Sequence, residues 1–385
     1  MKALVSNRII ATRLLNLGLS KSIGSGAHIV DVPTPSISDV EILIKVHAVG
    51  LNPTDFKHID FMSPSNRILG CDYAGEVVEV GKAAAGGWRR GDRVAGVVHG
   101  GMYQDRGSFA EYLKIDGDLA WKIPEGLSDE DATTYGVSAV TAVLALNVHL
   151  GLPLPFLEPK GSTKQQQPAQ APTVFIYAGS TCAGLFTIQV AKLAGLRVIT
   201  TASPHSFDLV KSYGADRVFD YRSATAVEDI TAAFPDITHA VDCFSEGGSS
   251  AFCARVIENK GGKVVTLLPG PASKTQGVEY DIVMLYRVFG REFAYLPPIG
   301  PAFPVRLEDR EALARFYADL PRLTKELKPP PVRVLEGGLE SVLGGLDMLR
   351  QGKVSGSNVR MLEALIAEQV KGETAAGELK FGQNR

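Results

Sequence analysis

The second half of the chain alternates short apolar segments with longer amphipathic ones, and this alternation restricts the fold more than any other feature. The strand-like run VFIYAG (174–179) precedes the helix-like run LFTIQVAKLAG (185–195). The same order repeats in RVITTAS (197–203) and SFDLVKSYGA (206–215), and further apolar runs follow at 217–221, 239–244 and 263–268. Strands that alternate with helices form parallel β-α-β units. The sequence therefore predicts an α/β fold with a doubly wound parallel sheet.

The first 135 residues instead contain closely spaced strand-like segments. Val40–Val49 (VEILIKVHAV) alternates apolar and polar positions, a pattern that predicts a half-buried strand. Asp72–Val80 and Asp92–Val98 are rich in β-forming residues and have glycines at their turns. Together these segments predict an antiparallel, barrel-like domain. From Ser128 the residues change to acids followed by Ala, Val and Leu, which indicates a helix with an N-cap.

Composition and charge exclude several classes of protein. The 385 residues include 40 Lys and Arg against 42 Asp and Glu, a net charge of −2, whereas nucleic-acid binding needs a basic surface. No apolar stretch of about 18 residues predicts a membrane span, and no secretory signal pattern is evident. The four cysteines are widely spaced and form neither a disulfide framework nor a C-x-x-C metal pair. We therefore expect a cytoplasmic protein.

The turn after Val174–Tyr177 is the strongest candidate for a nucleotide site. Ala178–Gly184 (AGSTCAG) leads directly from a strand into a helix. Small residues there let a pyrophosphate approach the backbone, and the helix N-terminus favours anions. Taken alone, such a turn equally often binds nothing. In a dinucleotide-binding fold, the end of the next strand contacts the adenosine ribose. Here that end is Thr200–Ser206 (TTASPHS), and it has no carboxylate to hold a ribose 2′-hydroxyl.

Hydroxyl groups and a histidine at this position suit a 2′-phosphate, so the sequence favours NADPH over NADH. Ser203 and Pro204 are also expected to cap a helix. Tyr221, after the following strand, can add a hydroxyl group or a stacking face.

Four segments then show a resemblance to a known superfamily. GCDYAGEVVEVG (70–81), GDRVAG (91–96), GADRVFDYR (214–222) and GKVSGSNVRML (352–362) resemble the medium-chain dehydrogenases/reductases, over residues 1–363. The resemblance implies a GroES-like β-barrel catalytic domain plus a Rossmann domain. The implied boundaries are 1–135 for the catalytic domain, 136–305 for the Rossmann domain with a polar, exposed insertion near 156–172, 306–365 for a return to the catalytic domain, and 366–385 for a polar tail.

The zinc-binding members of this superfamily have a ligand set that this chain lacks. Asn52 stands at the position of their first cysteine ligand, Cys71 stands at the position of a histidine, and Tyr135–Val137 contains no cysteine. A catalytic zinc needs three protein ligands. We therefore expect no metal, and we interpret Cys71 as a small buried hydrophobic residue.

Among zinc-free members, the chain resembles the stand-alone, trans-acting enoyl reductases that serve fungal highly reducing polyketide synthases. The segments that carry this resemblance are LNPTDFK (51–57), LGLPLP (150–155), YAGST (177–181), ASPHSFDLVKSYGADRVFDYR (202–222) and VSGS (354–357). The resemblance implies hydride transfer from NADPH to the β-carbon of an α,β-unsaturated acyl thioester. It further implies that the acyl chain is carried by the acyl carrier domain of a synthase, or of a hybrid with a peptide synthetase.

By the same resemblance, Lys57 and Thr141 are the expected catalytic residues. Negative charge builds on the thioester oxygen during hydride transfer, so hydrogen-bond donors there would stabilise the enolate. The implied cofactor contacts are Thr54, Asp55, Phe56, Lys57, Ser180, Thr181, Cys182, Ala183, Ser203, Pro204, His205, Ser206, Tyr221, Leu267, Leu268, Val354 and Ser355. The implied acyl pocket contains Thr141, Ala142, Val143, Leu144, Val288, Phe289, Gly290, Arg291 and Glu292.

The chain departs from its relatives at two places. Phe56 stands where some polyketide enoyl reductases have a tyrosine proton donor, so solvent is expected to deliver the proton. Thr181 and Cys182 stand where the common zinc-free loop has glycines. The hydroxyl groups of Ser180 and Thr181 are expected to compensate as phosphate donors.

Two other functions stay open: a free quinone or enone reductase of the same superfamily, and a catalytically silent NADPH-binding protein. GREFAYLPP (290–298) is expected at the edge of the Rossmann sheet, where its prolines would block pairing with a second copy. This favours a monomer. Asp242, at the end of a strand, is expected to fix the turn that follows it.

Overall fold

A computed structural model describes residues 1–157, 171–269, 275–354 and 358–362 of the chain. The strands are β1 Lys2–Ser6, β2 Ala27–Asp31, β3 Glu41–Leu51, β4 Asp72–Val80, β5 Arg93–Val97, β6 Tyr112–Asp116, β7 Ala120–Lys122, β8 Thr173–Tyr177, β9 Arg197–Ala202, β10 Arg217–Asp220, β11 His239–Asp242, β12 Gly262–Thr266, β13 Val278–Ile282, β14 Phe293–Ala294, β15 Ala302–Phe303, β16 Val332–Leu335 and β17 Asn358–Leu362.

The α-helices are α1 Ile10–Leu19, α2 Pro53–Lys57, α3 Asp129–Ala132, α4 Val137–Val143, α5 Cys182–Leu193, α6 Phe207–Ser212, α7 Ala226–Ala233, α8 Ser249–Ile257, α9 Leu307–Leu323 and α10 Val342–Arg350. Short π-helical segments cover His58–Met62 and Leu144–His149, and short 3₁₀ segments include Pro204–Ser206 and Leu285–Phe289. None of the helices in the described ranges is long and apolar enough to span a lipid bilayer.

Strands β8 to β13 form one parallel sheet in the order β10-β9-β8-β11-β12-β13. Its central strand β8 is buried because Val174, Phe175 and Ile176 pack between helices on both faces. The predicted α/β fold is confirmed. The strand order reverses between β8 and β11, and open sheets of this kind bind ligands beyond the carboxyl ends of the strands at such a switch point.

The other large sheet has the order β16-β17-β3-β4-β5-β7, with β6 paired to β3. Strand β17 pairs antiparallel with β3, so residues from the far end of the chain complete the sheet of the first lobe. The expectation of a half-buried β3 is wrong, because β4, β6 and β17 all pair with this strand and nearly all of it is buried. Even Glu41 is buried, and its carboxylate forms an ion pair with Arg106 at 3.0 Å.

The predicted position of residues 290–298 is also wrong. Strand β13 forms the edge of the parallel sheet, whereas β14 pairs antiparallel with β15 in a separate two-stranded sheet. The chain leaves the parallel sheet through the 3₁₀ segment Leu285–Phe289 and turns at Gly290, whose φ is +60°. The backbone groups of β14 are thus paired within the chain. The prolines of this segment therefore do not protect the edge of the parallel sheet.

The start of the predicted insertion differs from the expectation of exposure, because Leu157 is buried in the hydrophobic core. Residues 158–170, which make up most of the predicted insertion, lie outside the described part of the chain. The polar tail 366–385 also lies outside it.

Helix α1 turns its polar side inward. Arg13 donates from Nε to the carbonyl of Phe61 (3.0 Å) and from Nη2 to that of Met62 (2.8 Å), and Asn16 donates to the carbonyl of Asp60 (2.9 Å). These acceptors are the last carbonyls of the π-helical segment, which lack partners within their own helix. The leucines of the opposite side, Leu14, Leu15, Leu17 and Leu19, are exposed as a consequence.

Candidate functional site

The turn between β8 and α5 is tightly packed around two glycines. A Cβ atom on Gly184 would lie 2.5 Å from the carbonyl oxygen of Ala178, and one on Gly179 would lie 2.2 Å from Oγ1 of Thr200. Neither position can take a larger residue without movement of its neighbours. The close approach of helix and strand that a dinucleotide-binding turn requires is therefore present, although the loop has fewer glycines than is common.

Thr181 caps helix α5 from this turn. Its Oγ1 accepts a hydrogen bond from the backbone N–H of Gly184 (3.0 Å) and donates to the carbonyl of Ala178 (2.9 Å). Its proton is thus used inside the turn, and donation of this hydroxyl to a phosphate stays a prediction that needs the O–H to rotate. Ser180 stays half-exposed on the loop, as do Cys182 and Ala183.

The carboxyl ends of β9 and β10 lie beside this turn in the sheet order. Ser203 precedes the short helix Pro204–Ser206 and accepts from Ser206 N through its backbone carbonyl (2.8 Å), not through its side chain. The predicted cap is therefore present in position but does not use the Ser203 hydroxyl. Pro204 and His205 are exposed, and Tyr221 is exposed with Arg222 stacked over its ring at 5.7 Å.

On the other side of the switch point, Asp242 organises the loop after β11. Its buried carboxylate accepts from the backbone N–H groups of Phe244 (3.1 Å) and Ser245 (2.8 Å), and from the hydroxyls of Ser249 (2.7 Å) and Ser250 (2.8 Å). The predicted role of Asp242 in fixing this turn is confirmed.

The same loop is tied to the end of β12. The Ser245 hydroxyl accepts from the backbone N–H of Leu267 at 2.8 Å. Leu267 and Leu268 are half-buried at this strand end, and Val354 is half-buried after α10. Ser355 lies outside the described residues.

In the lobe that contains β3, helix α2 directly follows this strand. Asp55 is buried and accepts from the backbone N–H of Asn52 at 2.7 Å. Burial raises the pKa of Asp55 to about 7. Asn52 in turn donates from its side chain to Asp72 at 2.9 Å, and Asp72 also accepts from the backbone N–H of Val137 at 2.7 Å. Residues from α2, β4 and α4 are thereby held together.

These bonds involve the positions that hold zinc in other members of the superfamily. Asn52 binds Asp72, and the Cys71 thiol lies 3.4 Å from the hydroxyl of Tyr286. Burial raises the pKa of the Cys71 thiol well above its usual value. The described ranges contain no group of three or more His, Cys, Asp or Glu side chains that could hold a metal ion. That the chain needs no metal stays a prediction.

Lys57 contacts the lobe that contains the parallel sheet. Its Nζ donates to Oε1 of Glu246 at 2.7 Å, and Glu246 belongs to the loop that Asp242 organises. Only 18% of the Lys57 side chain is exposed, against 51% for Glu246. Sequence reasoning missed Glu246, although a carboxylate four residues beyond the end of β11 is a visible signal.

A second missed residue, Tyr286, joins the lobes from the interior. Its hydroxyl lies 2.8 Å from Oγ1 of Thr54 and 3.0 Å from Nε2 of His58, and the ring of His99 stacks on it at 3.8 Å between centroids. Burial lowers the pKa of His58 to about 3, so this imidazole is neutral at physiological pH. Thr54, an expected cofactor contact, is thus held by Tyr286. No local motif in the sequence points to this tyrosine.

The residues expected to line an acyl pocket occupy different surroundings. Thr141 is buried on α4, and Ala142, Val143 and Leu144 lie in the hydrophobic core. Contact of these residues with an acyl chain stays a prediction. In the segment after β13, Val288 and Phe289 are buried, Gly290 turns the chain, Arg291 forms an ion pair with Asp116 at 2.9 Å, and Glu292 is exposed.

Comparison with known proteins places both lobes in one superfamily. Residues 38–125 match the model of the alcohol dehydrogenase GroES-like domain, and residues 182–284 match that of zinc-binding dehydrogenase. The trans-enoyl reductase ACTTS2 of Alternaria alternata is 37% identical over 336 residues, 85% of this chain and 92% of that protein. The trans-enoyl reductase TOXD of Cochliobolus carbonum is 40% identical over 276 residues, 71% of this chain and 90% of that protein.

Solved structures share the fold at lower identity. The CurK enoyl reductase has a TM-score of 0.67 and 18% identity, with 94% of this chain and 99% of that chain covered. A zinc-dependent alcohol dehydrogenase, described as putative, from Rhizobium etli has a TM-score of 0.71 and 23% identity, with 94% and 98% covered. The fold follows from these structures and the family from the curated relatives: the chain belongs to the trans-enoyl reductases of the medium-chain dehydrogenase/reductase superfamily, with a GroES-like and a Rossmann domain.

Proposed function

We propose that this chain is a trans-acting, NADPH-dependent enoyl reductase. It reduces the α,β-unsaturated acyl thioester that the acyl carrier domain of a highly reducing polyketide synthase, or of a hybrid with a peptide synthetase, presents to it. The observation that carries the proposal is the contact of Lys57 with Glu246: the ammonium group lies 2.7 Å from a carboxylate in the loop after β11, one of the two strands at the switch point of the Rossmann sheet. The likeness to curated trans-enoyl reductases supports the reaction class.

The residues at the sheet edge suit NADPH. Gly179 and Gly184 let helix α5 pack closely against the end of β8, as a dinucleotide-binding turn requires. The corner after β9 offers the Ser203 hydroxyl and the exposed His205, with no carboxylate between Thr200 and Ser206 to repel a 2′-phosphate. NADPH, when bound, supplies the hydride; the protein supplies orientation and electrostatics.

Side chains of the chain stabilise the negative charge on the thioester oxygen and supply the proton for the α-carbon. Hydride addition at the β-carbon places negative charge on the thioester oxygen, and a desolvated ammonium such as that of Lys57 stabilises it there. The Thr141 hydroxyl is a second candidate donor. Phe56 cannot donate a proton, so the α-carbon receives its proton from Lys57 or from water. No metal is part of this proposal, because Asn52 has an amide where the resemblance implies a cysteine ligand and Tyr135–Val137 contains no cysteine for a third ligand.

We also propose where the reductase acts and how it meets its synthase. The reductase acts in the cytoplasm and meets its synthase transiently. An acyl carrier domain presents acidic surface, so charge attraction across the contact would speed encounter.

The test is an assay of NADPH oxidation with 2-alkenoyl thioesters and, in parallel, with small quinones. We expect turnover with the thioesters, and Lys57→Ala should lower it at least ten-fold, on the order of 1.4 kcal/mol. The matched control is Lys192→Ala, which removes a lysine paired with Asp216 far from the crevice and should leave the rate unchanged. Turnover with quinones alone would contradict the proposed substrate, and NADPH binding by fluorescence without any turnover would indicate a silent binding protein.

A further inference from the structure

The ion pair between Lys57 and Glu246 connects two separately built supports. Lys57 ends helix α2, whose start is fixed by the buried Asp55. Glu246 lies in the loop whose backbone N–H groups are held by the buried Asp242. Ser245, its neighbour, is bonded to the backbone of Leu267 as well. The Glu246 carboxylate therefore stands on a fixed loop, although the side chain itself is half-exposed.

Among the residues that the structure describes, the Lys57 ammonium group has one ion-pair partner, Glu246. The ring of Phe56 also lies near it, with its centroid 5.6 Å from Nζ. Arg350 covers the same ring at 5.1 Å and forms its own ion pairs with Asp60 and Asp347. A lysine side chain is long and flexible, and it loses conformational freedom when one geometry is imposed on it. Glu246 supplies the contact that selects that geometry.

We propose that Glu246 is a positioning residue for Lys57 in the reductase reaction. Its carboxylate accepts one of the three ammonium hydrogens and so keeps the other two available at the switch point, where the proposed function needs a donor. This inference rests on the proposed function of Lys57. The contact itself is a property of the free protein and can be tested without substrate.

The kinetic test compares Glu246→Gln, Glu246→Asp and the wild type with an enoyl thioester. For Glu246→Gln we expect kcat to fall five- to ten-fold while KM for NADPH changes less than two-fold, because the ammonium is no longer held by a charge. Glu246→Asp keeps the charge and should recover part of the lost rate. Glu228→Gln is the matched control, since Glu228 pairs with Arg255 on the outer surface of the Rossmann lobe; its kcat should equal that of the wild type.

The decisive comparison places Glu246→Gln in the Lys57→Ala background. If Glu246 acts through Lys57, the second substitution has no further effect on kcat. An equal fall of kcat in both backgrounds would overturn the proposal, and so would an unchanged kcat in Glu246→Gln alone. If Glu246 only held the two lobes together, Glu246→Gln would lower the free energy of unfolding in both backgrounds, and its effect on kcat would not depend on Lys57.

Urea unfolding of the free protein separates failure of the inference from failure of the proposed function. The denaturation midpoints of Lys57→Ala, Glu246→Gln and the double variant should be non-additive, which shows the ion pair in solution. Additive midpoints would overturn the inference whatever the enzyme reduces. Non-additive midpoints with full activity of Lys57→Ala would refute the catalytic role of Lys57, and with it the positioning role.

Discussion

Replacement of Tyr286 by phenylalanine tests the interior contact between the lobes. The change keeps the ring but removes a hydroxyl that lies within hydrogen-bond distance of Thr54 and His58. Each lost hydrogen bond contributes about 1 kcal/mol, and a buried polar atom left without a partner costs about 1–3 kcal/mol. Because His58 is buried, its Nε2 has no access to water as a replacement. We expect the free energy of unfolding to fall by about 2–4 kcal/mol.

The matched control is Tyr73→Phe. Tyr73 is equally buried, but its hydroxyl has no hydrogen-bond partner among the residues that the structure describes. Removal of an unpaired buried hydroxyl should leave stability within about 0.5 kcal/mol of the wild type or raise it.

Equilibrium urea unfolding followed by tryptophan fluorescence is the suitable assay. Both tryptophans, Trp88 and Trp121, are buried in the GroES-like lobe that contains Thr54 and His58. The reasoning is refuted if Tyr286→Phe and Tyr73→Phe lose the same stability, or if Tyr286→Phe loses none. A weaker affinity for NADPH in Tyr286→Phe would further show that Thr54 depends on this tyrosine.

Two other perturbations follow from the same structure. Arg13→Ala should lower the free energy of unfolding by about 1–3 kcal/mol, because it leaves two helix-end carbonyls unpaired, whereas Leu17→Gln on the exposed side of α1 should leave it unchanged; urea unfolding of both variants checks this. The pKa of His58 is about 3 in the folded chain against 6.5 as a free residue, so stability is lost as pH falls below 6.5. The stability gap between the wild type and His58→Gln should therefore narrow by about 2 kcal/mol between pH 6.5 and 5, and a constant gap would contradict this.

Local features of the sequence predicted the parallel sheet well. Each strand of the Rossmann lobe is a short apolar run next to its own helix, so the pattern is contained in about 30 residues. The turn around Gly179 and Gly184 could likewise be found, because its small residues stand between a strand and a helix. The role of Thr181 could not, since a hydroxyl that serves as a cap looks the same in sequence as one that faces a ligand.

The features that the sequence concealed depend on distant partners. Strand β3 alternates like a half-buried strand, but β4, β6 and β17 all pair with it, and β17 lies more than 300 residues away along the chain. The motif LNPTDFK (51–57) points to Lys57, whereas its partner Glu246 lies in no recognisable motif. Tyr286 stands in an ordinary apolar run, and only the folded chain brings it to Thr54 and His58.

The pairing of β17 with β3 has a consequence for biosynthesis. Strand β3 leaves the ribosome early, but its neighbour Val359–Leu362 is made only after the entire Rossmann lobe. Until then the peptide groups of residues 48–51 of β3 lack the partner strand that β17 later provides, and they are open to association with another nascent chain. All six strands of the Rossmann sheet lie in one continuous stretch of the sequence, so this sheet can form without the rest of the chain. The lobe that is translated first is therefore the one that must be completed last.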